Sequence, residues 1–243
     1  MSPSRMVSHP VAAPAATWRY RDLLIVIGLA FISMILWRVE WVGMVFYPFQ
    51  LLGTFVHELS HGLAAIATGG QFQRFAVNPD LSGIAWSAGG IRWVITSAGY
   101  VGSALVGGAL LVATARGVPA RSVLAVLGMG LGVLCVIFVR NPFGIASGLM
   151  LAGALIVAAE RLSPFAAYAL LLFLAVQLTL DAFDNMVDLI MLSAHHHEVL
   201  TDARLMELQT GVPALVWAVV WSAIAMMILA GALRMAFHGH TPH

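Results

Sequence analysis

The chain of 243 residues is 60% hydrophobic and 9% charged, with a formal net charge of +1 and a mean hydropathy of +0.92. That balance excludes an ordinary soluble domain and gives no basic surface for nucleic acid, so the chain reads as an integral membrane protein. It has no Lys, and its 12 Arg fall mostly in short gaps between long apolar runs, as in a polytopic helical bundle. Cys135 is the one cysteine and lies in an apolar run, which excludes a disulfide within the chain and a cysteine-based zinc cluster. It reads as a small packing residue.

Residues 1–17 are rich in Pro, Ala and Ser and read as a disordered lead-in without a signal-peptide pattern. Asp22 to Val39, flanked by Arg19, Arg21 and Arg38, is just long enough for a first membrane span of about 20 residues. A second run, Met44 to Thr68, carries Phe55-Val56-His57-Glu58-Leu59-Ser60-His61-Gly62, an H-E-x-x-H pattern in apolar surroundings. Residues four apart on a helix share a face. His57 and His61 can therefore offer two ring nitrogens to one metal ion, with Glu58 placed to take a proton from metal-bound water. Ionisable groups are costly at this depth unless they have a function. Pro48 falls in the first turns of this run, and Gly69-Gly70 ends it with the residue type suited to a left-handed cap.

From Gln71 to Gly90 the pattern alternates, with a turn at Asn78-Pro79-Asp80, and predicts a β-hairpin. An edge strand beside the metal helix would hold an extended peptide by its backbone, and the first arm, Phe72, Gln73, Arg74, Phe75, Ala76 and Val77, is the predicted substrate contact. An interfacial loop is the competing reading of this stretch. The third run, Ile91 to Ala115, contains Ser97-Ala98-Gly99-Tyr100-Val101-Gly102-Ser103 and Gly107-Gly108, a small-residue face suited to packing against the metal helix. Further spans are predicted over Ser122 to Val139, Gly144 to Ala159, Pro164 to Leu192 and Pro213 to Phe237. The expected architecture is an all-α membrane bundle of six to seven spans with one short hairpin after the second helix. Residues 18–237 form a single domain, and residues 238–243 are a flexible His-containing tail.

The sixth segment is interrupted by Asp181, Asp184, Asn185 and Asp188, at helical spacings along one face. Carboxylates at such depth normally face protein, water or an ion. The midpoint of Pro164 to Leu192 lies near Leu178, so depth selects Asp181 as a third metal ligand, with Asp184 in reserve. Asp202 stands third, because it follows a polar loop that would have to fold back into the membrane; its alternative role is to cap a short helix after Thr201. His195-His196-His197 reads as a solvated loop. With the N-terminus inside, Arg5, Arg19, Arg21, Arg74, Arg92, Arg140 and Arg204 face the cytoplasm against five Arg outside, which favours a cytoplasmic N-terminus.

On these residues the chain resembles the site-2 protease family of intramembrane zinc metalloproteases, most closely its compact bacterial B-type branch. The resemblance rests on Phe55 to Gly62 with the Thr68-Gly69-Gly70 exit, the Pro79 to Gly83 turn, Ser97 to Gly102, Thr201-Asp202-Ala203, and Val212-Pro213 with Trp217. It implies a zinc cofactor, a membrane protein or peptide as substrate within the lipid bilayer, and a bacterial inner membrane. In the larger family a Leu-Asp-Gly on a later helix supplies the third ligand. Here Leu180-Asp181-Ala182 is the nearest match, with Ala in place of Gly and no Asn-Pro ahead of it. Two other functions compete with a zinc endopeptidase. A metal permease would use the same polar groups as a transient cation site, but they do not repeat in a second half of the chain. A non-catalytic scaffold would not need Glu58.

Overall fold

A computed structural model of the chain describes residues 20–37, 40–195 and 200–237. The expected lead-in over 1–17, the tail over 238–243 and His196-His197 lie outside the described residues. Among the described residues the elements are helices α1 (Tyr20–Trp37) and α2 (Glu40–Ala67), strands β1 (Gln71–Val77) and β2 (Gly83–Ala88), and helices α3 (Arg92–Ala115), α4 (Ala120–Phe138), α5 (Pro142–Arg161), α6 (Pro164–His195), α7 (Asp202–Thr210) and α8 (Ala214–Phe237). The architecture is that of an all-α polytopic membrane protein with one small hairpin.

Five helices, α3, α4, α5, α6 and α8, are long and apolar enough to cross a membrane. At 28 residues α2 is longer than most of them, but His57, Glu58, Ser60 and His61 dilute its hydropathy. It is packed inward instead, touching α1, α3, α5, α6 and both strands. Lipid tails are as apolar as leucine, so helices in a bilayer associate by close packing more than by the hydrophobic effect. The small residues serve that end. Gly107 of α3 lies directly against Thr179 of α6, and Gly128 of α4 against Ala152 and Ile156 of α5. Cys135 is fully buried, its sulfur against Gly148 of α5 beside the ring of Phe55. Gly69 ends α2 with φ +81°, a left-handed conformation that costs other residues about 1 kcal/mol or more.

The main core runs from α2 through the hairpin to α4 and α5. Phe55, Phe75, Val77, Leu124, Cys135 and Val139 are all fully buried there, and the rings of Phe55 and Phe75 meet edge to face at 5.9 Å. A second, smaller cluster joins α6, α7 and α8 through Leu189, Ala203, Met206, Ala214, Ala218 and Trp221. It docks the short helix α7. Burying a side chain the size of Met206 contributes about 1.5 to 3 kcal/mol, enough to hold a nine-residue helix that would be marginal alone.

The hairpin is antiparallel, with Phe75 opposite Ala85 and Val77 opposite Gly83. Its turn is pinned to α2 at two points: the Tyr47 hydroxyl donates to the Pro79 carbonyl (2.8 Å) and the Thr54 hydroxyl to the Leu81 carbonyl (3.0 Å). Asp80 is a turn residue. Its Oδ1 accepts from the Ser82 hydroxyl and N–H, and these two bonds hold its carboxyl below the ordinary value.

The outer edge of β1 is also occupied. Arg140 N–H donates to the Phe75 carbonyl (3.1 Å), and the Asn141 carboxamide both accepts from Val77 N–H (3.2 Å) and donates to the Val77 carbonyl (2.7 Å). Asn141 thus acts as one residue of a third strand. Asn141→Ala removes two hydrogen bonds worth about 1 kcal/mol each and strands the Val77 backbone, so it is expected to lower stability by about 2 kcal/mol. Thermal unfolding in detergent, with protease cleavage at the 78–82 turn as a local probe, measures this; an unchanged melting temperature and cleavage rate would show that the edge needs no partner.

Candidate metal centre

One helical turn separates His57 from His61, and α2 presents both rings on the face it turns toward α3 and α7. His57 Nε2 and His61 Nε2 lie 3.1 Å apart. Asp202 Oδ2 completes a triangle, 3.1 Å from His57 Nε2 and 3.3 Å from His61 Nε2. These three residues form the single group of potential metal-ligating side chains found among the described residues.

The donor set fits zinc. Ligand bonds of about 2.0 to 2.2 Å in tetrahedral geometry place donor atoms roughly 3.3 to 3.6 Å from one another, and two imidazoles with one carboxylate leave the fourth position open, as catalytic zinc sites do. The His61 Nδ1–H donates to the Ile95 carbonyl (2.7 Å), which assigns the other ring nitrogen a free lone pair directed at the triangle. Burial alone would raise the Asp202 carboxyl, but the two imidazoles facing it outweigh that effect and hold it below the usual carboxylate range.

Three neighbours shape the site. Tyr100 of α3 meets the His57 ring edge to face at 4.7 Å and stacks in turn on the buried Trp221 of α8. Gly99 of α3 lies directly against both imidazoles, where a Cβ would overlap His57 Nε2 and His61 Nε2. Gly83, the first residue of β2, does the same for Glu58, whose carboxylate would collide with any side chain there. Glu58 is 5% exposed and, with His57, His61 and Asp202, lines a cleft of about 790 Å³. Its further walls are residues 81–89 of the hairpin, the first turns of α3, Asn185 and Leu192 of α6, and α7.

His57, Glu58 and His61 therefore stand together as their spacing requires. Asp181 does not join them. It is buried, but its carboxylate lies against α2 at Gly53, one turn before His57, and accepts a hydrogen bond from the Asn185 carboxamide. Asp184, three residues on along the same helix, is exposed and likewise outside the group. The residue that depth ranked third, Asp202, occupies the place because α7 docks on α8 and α3. Thr201 takes the capping role, its hydroxyl accepting from Arg204 N–H, which frees the Asp202 carboxylate to face the histidines. The sequence signal for this was the capped Thr201-Asp202 start together with Met206 and the small residues Ala214 and Ala218 that receive α7.

Nor does the first arm of the hairpin reach the cleft. None of Phe72, Gln73, Arg74, Phe75, Ala76 and Val77 lines it. Phe72, Phe75 and Val77 face the core, and the β1 backbone is bonded on both sides. In β2 no residue is fully buried and the whole strand borders the cleft. The Asn78 N–H bond to the Ser82 carbonyl sets the alternation, so the pairs Val77–Gly83 and Phe75–Ala85 turn their peptide groups away from each other. On β1 those groups meet Arg140 and Asn141. On β2 the corresponding groups, of Gly83 and Ala85, point to the free edge.

Residues 15–232 match the protein family described as Peptidase M50B-like. The chain belongs to this family, the site-2 protease family. No curated protein and no solved structure matches it. Membership carries the coarse assignment: the chain is an integral membrane protein of a metalloprotease family, and the His57, His61 and Asp202 triangle is its candidate metal site. Gly99→Ala should cost about ten- to a hundredfold in zinc affinity, the range typical of residues that orient ligands, while leaving the helical content unchanged. Competition against a fluorescent zinc chelator in detergent reads it; undiminished affinity would mean that the α3 backbone does not set the spacing of the imidazoles.

Proposed function

We propose that the chain is a zinc-dependent endopeptidase that cuts peptide bonds of membrane-embedded or membrane-adjacent substrates with metal-activated water. The observation that carries this reading is the meeting of His57 Nε2, His61 Nε2 and Asp202 Oδ2 within 3.3 Å, with Glu58 on the same cleft. His57, His61 and Asp202 are the proposed ligands. Zinc bound there supplies a Lewis acid and lowers the pKa of water toward about 7. Glu58 accepts the proton of the attacking water and delivers it to the departing amide nitrogen. Its burial beside Gly83 keeps bulk water from competing for that proton.

A peptide bond inside a membrane helix is shielded by its own hydrogen bonds, so a substrate must be drawn out into an extended form before attack. The free edge of β2 offers the replacement partners. A substrate segment pairing with Gly83 and Ala85 lies along the cleft, with its scissile group beside Glu58 at the Gly83 end. The family resemblance and the Arg bias further support a bacterial inner membrane with the N-terminus on the cytoplasmic side.

The ligand and base assignments separate in a two-readout experiment. Glu58→Gln is expected to keep zinc, measured by elemental analysis, and to lose about a hundredfold or more of the proteolysis of membrane-segment peptides. His57→Ala, His61→Ala and Asp202→Ala lose both. Near-normal proteolysis by Glu58→Gln would refute the base, and purified protein that moved zinc across liposomes while cutting nothing would replace the protease with a permease. For the substrate edge, Ala85→Pro removes one outward donor without touching the hairpin's internal ladder. It is expected to lower kcat/KM about five- to tenfold at an unchanged melting temperature, and unaltered kcat/KM would remove β2 as the docking strand.

A further inference from the structure

Asp181 and Asn185 are left without a part in the reaction, although one is a buried carboxylate and the other lines the cleft beside Asp202. They stand one helical turn apart on α6, and the Asn185 Nδ2 donates to Asp181 Oδ2 at 3.1 Å. Asp181 is in turn wedged against α2, where Gly53 leaves no room for a side chain beside the carboxylate. The bond settles the orientation of the amide. Its nitrogen faces Asp181 in the observed bond. The second Nδ2 proton and the Oδ1 have no partner among the described residues, and Asn185 is exposed and lines the cleft.

The placement of that amide gives it a use. The hairpin packs on α2, and α6 packs on α2 and α3, so the cleft separates β2 from α6 with the metal triangle and Glu58 between them. A peptide paired with the β2 edge satisfies the backbone groups on one of its sides. Its peptide groups on the opposite side, which alternate with the first set, then face α6 and α7, where polar side chains can replace the hydrogen bonds the segment loses on leaving its own helix. Asn185 is the carboxamide on the α6 side of that cleft, the other one, Gln209, being already engaged as donor to Thr96.

We propose that Asn185 binds the backbone of an extended substrate from the wall facing β2, and that buried Asp181 is the positioning residue that holds its carboxamide in that orientation. The inference rests on the protease reading above, and it assigns the α6 carboxylate to orientation of the peptide instead of to the metal. A side chain that contacts only backbone groups does not select a sequence. It selects extended chain over helix, which is the discrimination a membrane substrate requires.

Binding tests it apart from turnover. In the Glu58→Gln protein, the affinity for a fluorescein-labelled apolar peptide that the wild type cleaves is read by anisotropy in detergent. Asn185→Ala is expected to weaken binding about tenfold, Asp181→Ala by a similar factor, and the double variant by no more than either. Asp181→Asn keeps the size and an oxygen acceptor, and should stay within about threefold of the parent even if Asp181→Ala is too unstable to purify. Zinc content should be equal throughout the series. Unchanged affinity for Asn185→Ala, or loss of zinc in Asp181→Asn, would overturn the proposal. A wild type no more active than Glu58→Gln on every peptide would instead sink the protease reading on which it rests.

Discussion

The convergence of two imidazoles and a carboxylate on one point, inside a bundle that is otherwise apolar, is the constraint on which the rest of the structure depends. Each of these groups is expensive to bury unless it is paired. The triangle of His57, His61 and Asp202, with edges of 3.1 to 3.3 Å, is compact enough for the three to compensate one another or to share an ion. Such closeness leaves little room for neighbours. Gly99, Gly83 and Gly53 each give up a side chain where α3, β2 and α6 approach the polar face of α2. The glycines are thus part of the site's construction, although none of them performs chemistry.

The same economy explains the hairpin. A two-stranded ribbon is marginal by itself, and this one is stabilised by burying one arm and leaving the other open. Phe72 and Phe75 pack into the aromatic cluster with Phe138 and Phe55, while Asn141 and Arg140 close the β1 edge. What remains among the described residues is one unpaired strand edge, held beside Glu58 by the Tyr47 and Thr54 bonds to the turn. An open edge on a soluble protein invites aggregation. Here it borders the cleft that Glu58 and the metal triangle line.

On the other side of the cleft, a short helix outside the spans completes the polar cluster. The α7 helix is anchored by Met206 and Ala203 in the cluster with Trp221, by the Gln209 bond to Thr96 and by the Glu207 carboxylate accepting from Ala214 N–H. These contacts are remote from the histidines, yet they determine where Asp202 stands. The α3 helix links the two halves of the site, because its Ile95 carbonyl orients His61 while its Tyr100 ring packs on both His57 and Trp221.

Much of this was written in local pattern. The spans, the hairpin and the His57, Glu58 and His61 face follow from hydropathy, alternation and a four-residue spacing, all of which are properties of contiguous residues and need no partner to be read. The identity of the third acidic neighbour is a different kind of fact. Depth along a straight helix selected Asp181, but the contact of His57 with Asp202, 145 positions apart in sequence, depends on the docking of α7. The choice between the hairpin arms was decided in the same way. Both arms alternate, and only the arrival of Val139 to Asn141 on β1, some 64 residues further along the chain, determined that β2 would keep the free edge. Local periodicity specifies which groups a helix or strand can present; which of them meet is set by packing between segments that no local pattern relates.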